Sequence, residues 1–273
     1  MKHLKFAFWA VLFVGFSSCE DLEQICGVDN PDLSLAENGV EALGVMINTY
    51  DRVDEALRNS DLQNNGQTTI DNASVTWSNN LLTIDFGNGT SGSDGKIRKG
   101  TITAQVTGDY FQSGSTTTIS FNGFSVDDHS VKGGISLSNS TQNMPTYTVS
   151  ATNFVFDDLV GLTNQMTFEW QAGFNTQSDD QDDIYSLSGN GNIDQLSGDQ
   201  DLGLDIVIPI KYVRACQWGV EEGALNCAWT GTDAPFSSID LDFISSDGCN
   251  NLYQIGVDCG ETSGTITKSF SGF

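Results

Sequence analysis

The chain has 273 residues, with 36 acidic and 11 basic side chains, a formal net charge of −25, six cysteines and two histidines. That balance leaves no basic footprint for nucleic acid, and two histidines exclude a multi-histidine metal site within one chain. Lys2, His3 and Lys5 fall in an N-terminal signal; without it nine basic residues face 36 acidic ones, a net charge of −27. His129 is then the one histidine that a Ser-His-Asp or Cys-His catalyst would have to use.

Residues 1–18 combine a positive start with an apolar run, Phe6 to Phe16, broken only by Gly15, and end on Ser17-Ser18 before Cys19. This is the pattern of a secretory signal; the run is shorter than the roughly 20 residues of a spanning helix. The small residues before Cys19 resemble the bacterial lipobox. That resemblance implies cleavage before Cys19 and acylation of its thiol and new amino group, with palmitate among the chains. Two or more acyl chains give a stable anchor at roughly 0.8 kcal/mol per buried methylene. Glu20, Asp21 and Glu23 resemble the acidic export signal of Bacteroidota surface lipoproteins, which implies the outer membrane with the protein facing the exterior. Residues 19–33 carry Gly27, Asn30 and Pro31 without apolar periodicity and read as an acidic tether.

Ser34-Leu35-Ala36-Glu37 has the spacing of a capping box. Val40, Leu43, Ile47, Tyr50 and Leu57, with Met46 and Val53 beside them, follow at helical spacing and predict an amphipathic helix over 34–58. Its polar face carries Glu37, Glu41, Asp51, Asp54 and Glu55, which anionic lipid would repel, so the helix is expected to pack on a sheet. From Thr68 the period becomes two: Ala73, Val75, Trp77; Leu82, Ile84, Phe86; Ile102, Ala104, Val106; Thr117, Ile119, Phe121; Tyr147, Val149, Ala151; Met166, Phe168, Trp170, Ala172. Turn clusters at 78–80, 127–130, 138–143 and 178–183 separate the runs. The expected fold is mainly β, an antiparallel meander or sandwich with the N-terminal helix packed on it. Nothing between 34 and 270 reads as a linker, so residues 34–273 form a single domain. Thr83-Ile84-Asp85-Phe86 before Gly100-Thr101-Ile102-Thr103 is echoed by Asp240-Leu241-Asp242-Phe243 before Gly264-Thr265-Ile266-Thr267, a candidate duplicated strand–loop–strand unit.

The segments Leu82 to Gly87, Asp94 to Ile102, Thr118 to Asn122 with Val131-Lys132-Gly133, and Cys216-Gln217-Trp218 before Leu241-Asp242-Phe243 and Cys249-Asn250-Asn251 resemble, in this order, a group of uncharacterised Bacteroidota lipoproteins. The resemblance implies an extracytoplasmic β-rich lipoprotein and carries no activity. It also implies pairing of Cys216 with Cys249, leaving Cys227 with Cys259 as a second disulfide and Cys26 unpaired or joined to a partner.

The acidic loops suggest calcium, which takes six to eight oxygen ligands; Asp85, Asp94, Asp179, Asp180, Asp182 and Asp183 are the candidate ligands. None of these loops matches an EF-hand or a nonapeptide calcium repeat. His129 lies in a turn cluster, Glu169 is expected on the solvent side of its strand, and no Gly-rich phosphate loop is present, so no catalytic residue is assigned. The expected role is non-enzymatic binding or structure, with a glycan, a partner protein or an envelope component as partner and no nucleic acid. Trp218 and Trp229, with Phe236 and Tyr253 nearby, are the candidate stacking surface. The alternatives are a secreted hydrolase working through two carboxylates and a lipid or lipoprotein carrier with an apolar cavity between sheet and helix.

Overall fold

The predicted helix is α1, Ser34–Arg58. The computed structural model describes residues 32–269 apart from 142–144, 177–178, 180, 217–218, 231–235, 244–250 and 260–262. The signal, Cys19, Cys26 and the tether to residue 31 therefore lie outside the described residues. The start of α1 departs from a capping box: Leu33 holds the N-cap position and no side chain caps from it. Asp32 instead accepts the Ser34 N–H at 3.0 Å; the Ser34 hydroxyl, and then this N–H, hold its carboxyl below the usual carboxylate range. Asn59 ends α1 and caps the short α2, Ser60–Asn65, by accepting from the Leu62 N–H at 3.0 Å. Gly66, at φ 71°, closes α2 in the left-handed conformation.

The remainder is one open antiparallel sheet of 14 strands in strict sequence order. Its strands are β1 (Gln67–Ile70), β2 (Ala73–Ser78), β3 (Leu81–Ser91), β4 (Ile97–Thr107), β5 (Thr116–Val126), β6 (His129–Asn139) and β7 (Thr146–Phe156). There follow β8 (Val160–Ala172), β9 (Ile184–Gln195), β10 (Asp201–Val213), β11 (Val220–Trp229), β12 (Ser238–Phe243), β13 (Leu252–Asp258) and β14 (Ser263–Ser269). Two-residue turns join several pairs, with both central residues at positive φ: Asp71-Asn72, Asn79-Asn80 and Asp127-Asp128; the three-residue β7–β8 turn begins with Asp157-Asp158, also at positive φ. Asn and Asp tolerate that conformation because their short polar side chains bond locally, and the turn's twist matches that of the strands. The β5–β6 and β7–β8 turns belong to a repeat: Thr118-Ile119-Ser120 through Phe124 to Asp127-Asp128 recurs thirty residues on as Thr148-Val149-Ser150 through Phe154 to Asp157-Asp158. The proposed echo does not form a matching pair of hairpins. Residues 83–86 and 100–103 lie on adjacent β3 and β4, but 240–243 and 264–267 lie on β12 and β14 with β13 between them.

Bulges interrupt the register on β3 to β7. At two of them glycine is obligatory. A Cβ on Gly100 (φ 77°) would lie 2.2 Å from the Gly123 carbonyl oxygen, and one on Gly133 (φ 88°) 1.9 Å from that of Asn153. Such bulges bend and twist the strands that carry them. Helix α1 contacts β3, β7, β8 and β9. Eighteen of the 25 residues of α1 are buried, so apolar contact is not confined to one stripe. Asp51 and Asp54, expected on a solvated polar face, are 5% and 0% exposed. Gly39 marks the closest approach to the sheet: a Cβ there would sit 2.3 Å from Ile193 Cδ1 on β9. The core between helix and sheet is filled by Leu43, Met46, Tyr50, Tyr147, Phe168, Trp170 and Tyr185, each 1% exposed or less.

Candidate functional site

The four arginines of the chain all lie around the C-terminal half of α1. Arg52 and Arg58 come from the helix, Arg98 from β4 and Arg214 from the turn after β10. Arg214 has a side chain only 2% exposed. It donates from Nε to Asp51, from Nη2 to the Asp51 carbonyl at 2.8 Å, and from Nη1 to Asp54 at 2.9 Å and Asp183 at 3.3 Å. Arg58 donates to Asp54 at 3.2 Å and to Asp183, and its guanidinium lies 4.8 Å from the centre of the Trp170 ring. Asp183 also accepts from Trp170 Nε1 at 3.1 Å, and Asp54 accepts from the Tyr110 hydroxyl at 2.7 Å. Arg52 bridges Asp51 at 2.7 Å, Glu55 at 2.8 Å and Asp71 at 2.6 Å. Arg98, 1% exposed, donates to Asn48 at 2.6 Å and to both oxygens of Asp94.

Burial and the arginines oppose each other at Asp51, Asp94 and Asp183, and the outcome differs between them. Burial pushes Asp51 up, but the Arg214 and Arg52 guanidiniums outweigh it and hold the carboxyl below the usual range. Asp94 follows the same balance against Arg98. Burial prevails at Asp183, raising it in spite of Arg58 and Arg214. Burial also lifts the Tyr50, Tyr110, Tyr185 and Tyr212 hydroxyls well above their ordinary value, with nearby carboxylates adding to it. These phenols therefore stay protonated, and Tyr110 donates to Asp54 and Tyr185 to Asp183.

A cleft of about 570 Å³ opens beside this network, within the roughly 300–1,000 Å³ of small-molecule sites. Leu57, Val106 and Tyr110 line it with buried surface; Trp77 and Phe111 contribute half-buried rings, and Gln63, Asn80 and Asp109 contribute exposed polar groups. Arg58 faces it from the network. The cleft is built on fixed parts. Gln63 is tied by its amide to the Leu57 carbonyl at 2.9 Å, and the Asn80 carbonyl accepts from Gln105 at 2.9 Å. Tyr110 is anchored on Asp54 and packs edge-on to Phe111, with ring centres 5.0 Å apart. A second cavity of about 280 Å³ touches Asn48, Asp51, Arg52, Asp94, Tyr212 and Arg214, where the carboxylates are already bound by arginine.

The predicted site residues are not brought together. Asp94 and Asp183 are held by arginines on opposite sides of α1's network. Asp85 accepts the Gly87 N–H, Asp179 the Gln181 N–H, and Asp182 the Thr176 hydroxyl. Among the described residues no three acidic, histidine or cysteine side chains converge as a metal site would require; Asp180 lies outside them. Cys227 is a free thiol buried in β11, and burial pushes it up to about 12. The expected Cys227–Cys259 bridge is therefore corrected, because Cys227 is free; Cys216 and Cys259 are each disulfide-bonded, and neither is bonded to Cys227. Cys249 lies outside the described residues, and with it the Cys216–Cys249 pairing. The stacking candidates are only partly placed. Phe236 and Tyr253 are 3% exposed, Trp229 packs against the core, and Trp218 lies outside the described residues. His129 begins β6, exposed, with Nδ1 3.0 Å from Asp157 and its ring stacked on Phe156. Glu169 is exposed on β8.

Sequence reasoning passed over the cleft. Trp77 reads as a core residue and Asn80 as a turn residue. The signal that marks the site is Tyr110-Phe111, two large rings in a loop bounded by Gly108 and Gly114. No family model matches the chain, and no curated protein or solved structure matches it.

Proposed function

We propose that this chain is an outer-membrane lipoprotein, held by acylated Cys19 and facing the exterior, with a non-enzymatic binding role centred on the cleft beside Trp77. The cleft carries the reading: a pre-formed hollow with half-exposed aromatic rings and polar groups at its margin is how small-molecule sites are built. The location rests on the lipobox, the acidic residues after Cys19 and the resemblance to Bacteroidota lipoproteins. Two features favour binding over the alternatives. One carboxylate pair, Asp54 and Asp183, is buried and shared between Arg58 and Arg214, so it is not open to the water and substrate of a glycosidase. The helix–sheet interior is filled with aromatic side chains, where a carrier would keep an apolar hollow. The test uses the Trp77→Phe difference in emission, which isolates Trp77. The mature protein is titrated with glycan, protein and lipid fractions of the cell envelope, alongside palmitate labelling of wild type and Cys19→Ser. A Trp77-specific change with one fraction, and label lost with Cys19→Ser, is expected. No response to any fraction would end the binding reading, and label retained by Cys19→Ser would end the anchor.

A further inference from the structure

Resting on that reading of the cleft, we infer that its ligand is an uncharged saccharide, bound with a pyranose face against Trp77. Three observations point to this chemistry. First, the cleft presents both kinds of group that a sugar needs. The C–H face of a pyranose is apolar and packs on aromatic rings, here Trp77 and Phe111. Its hydroxyls are both donors and acceptors, and they match groups that are themselves mixed: the amides of Gln63 and Asn80 supply donors and acceptors, and Asp109 supplies acceptors.

Second, the polar groups stand on short, fixed connections. Asn80 is the second residue of the β2–β3 turn at φ 61°, Gln63 is bonded to the helix end, and Asp109 accepts the Phe111 N–H at 3.3 Å within its own loop. A site whose groups are already placed loses little freedom on binding, which matters for a ligand with many weak contacts.

Third, charge selects among sugars. Asp109 is the acidic group at the margin, and the Arg58 guanidinium that faces the cleft is already bound to Asp54 and Asp183. The protein as a whole carries a large negative excess. Sulfated and uronic-acid sugars would therefore meet repulsion with no cation to receive them. A lipid chain or an apolar peptide would leave the exposed amides and carboxylate without partners.

The test is an oligosaccharide array of two to six residues covering neutral, amino and uronic-acid sugars. It is probed with the mature lipidated protein in a zwitterionic detergent, because sugar-headed detergents would compete. Binding to one or more neutral oligosaccharides is expected. Trp77→Ala should weaken it about tenfold or more, the equivalent of roughly 1.4 kcal/mol for a lost stacking contact. Asn80→Gly, which keeps the turn conformation and removes the amide, should weaken it several-fold. Trp229→Ala, distant from the cleft lining, should leave it unchanged, and thermal melts of each variant separate lost binding from lost fold. Preference for uronic-acid sugars, or neutral-sugar binding that survives both Trp77→Ala and Asn80→Gly, overturns the inference. So does an array without binding when a protein fraction of the envelope still changes Trp77 emission; that result leaves the cleft as a binding site and replaces its ligand. Silence from the array and from every envelope fraction overturns the inference and the binding reading together.

Discussion

Replacing Arg214 by Ala should destabilise the fold more than any other single loss of charge. The Arg214 side chain is 2% exposed and serves three carboxylates, Asp51, Asp54 and Asp183. Its removal leaves Asp51 with Arg52, and Asp54 and Asp183 sharing Arg58, all three acids still out of water. Breaking a buried pair by removing one partner costs about 3–5 kcal/mol. Because one cation here serves three acids, the upper part of that range is expected. A domain of this size loses roughly 2–4 °C of Tm per kcal/mol, so the melting midpoint should fall by roughly 8–20 °C. The assay is a thermal melt followed by far-UV circular dichroism, paired with urea unfolding read from tryptophan emission; Trp170 reports directly because it bonds Asp183. Arg214→Lys keeps a charge but loses the planar fork that reaches Asp51 and Asp54 at once, and should fall between wild type and Ala. An Ala variant melting within about 2 °C of wild type would refute the reasoning, since the network would then add nothing to stability.

Asp51→Asn should be destabilising at pH 7, by an amount that depends on pH in one direction. The carboxyl's folded pKa lies below its unfolded value of 3.8. The stability from its ionised form is therefore in full above that value and is lost as pH falls through the folded pKa. The gap between wild type and variant should be constant from pH 7 to 5 and close below about 4; a gap that widens in acid would contradict the assignment. Cys227 should resist iodoacetamide in the native protein, because its thiol is buried and burial pushes it up to about 12, and label fully in denaturant. Peptide mass spectrometry showing native labelling at Cys227 within minutes would contradict that.

Much of the secondary structure was legible because it depends on local pattern. The apolar spacing from Val40 to Leu57 gives a helix that ends at Arg58, and alternation over 73–77, 82–86 and 147–151 gives strands on β2, β3 and β7. Glu169, opposite Met166 and Trp170 by parity, is exposed as expected. The polar side of α1 was misjudged for a reason local pattern does not contain. Whether Asp51 and Asp54 face water or Arg214 depends on a residue about 160 positions away. The capping spacing at Ser34 and Glu37 was real, yet Asp32 takes the bond because it reaches the Ser34 N–H first. The cysteines behave likewise: the resemblance implies a pairing but does not show that the Cys227 side chain is buried in β11. Near the candidate stacking residues, Phe236 and Tyr253 turn inward and are 3% exposed, because aromatic residues near cysteines pack inward as readily as outward.

The strand order has a kinetic side. Each strand pairs with its neighbours in sequence, so every pairing closes a short loop, the inexpensive kind. The sheet can grow hairpin by hairpin from several starting points. The bonds that span the longest stretches all run to α1: Asn164 to Met46 across 118 residues, Arg58 to Asp183 across 125, Arg214 to Asp51 across 163, and the ion pair of Lys268 on β14 with Glu37. The sheet can therefore form most of its ladder before it closes on the helix, and the arginine cluster records that closure. Changes at Arg214 should then speed unfolding while leaving the refolding rate nearly untouched, which makes these buried charges a determinant of how long the folded protein persists.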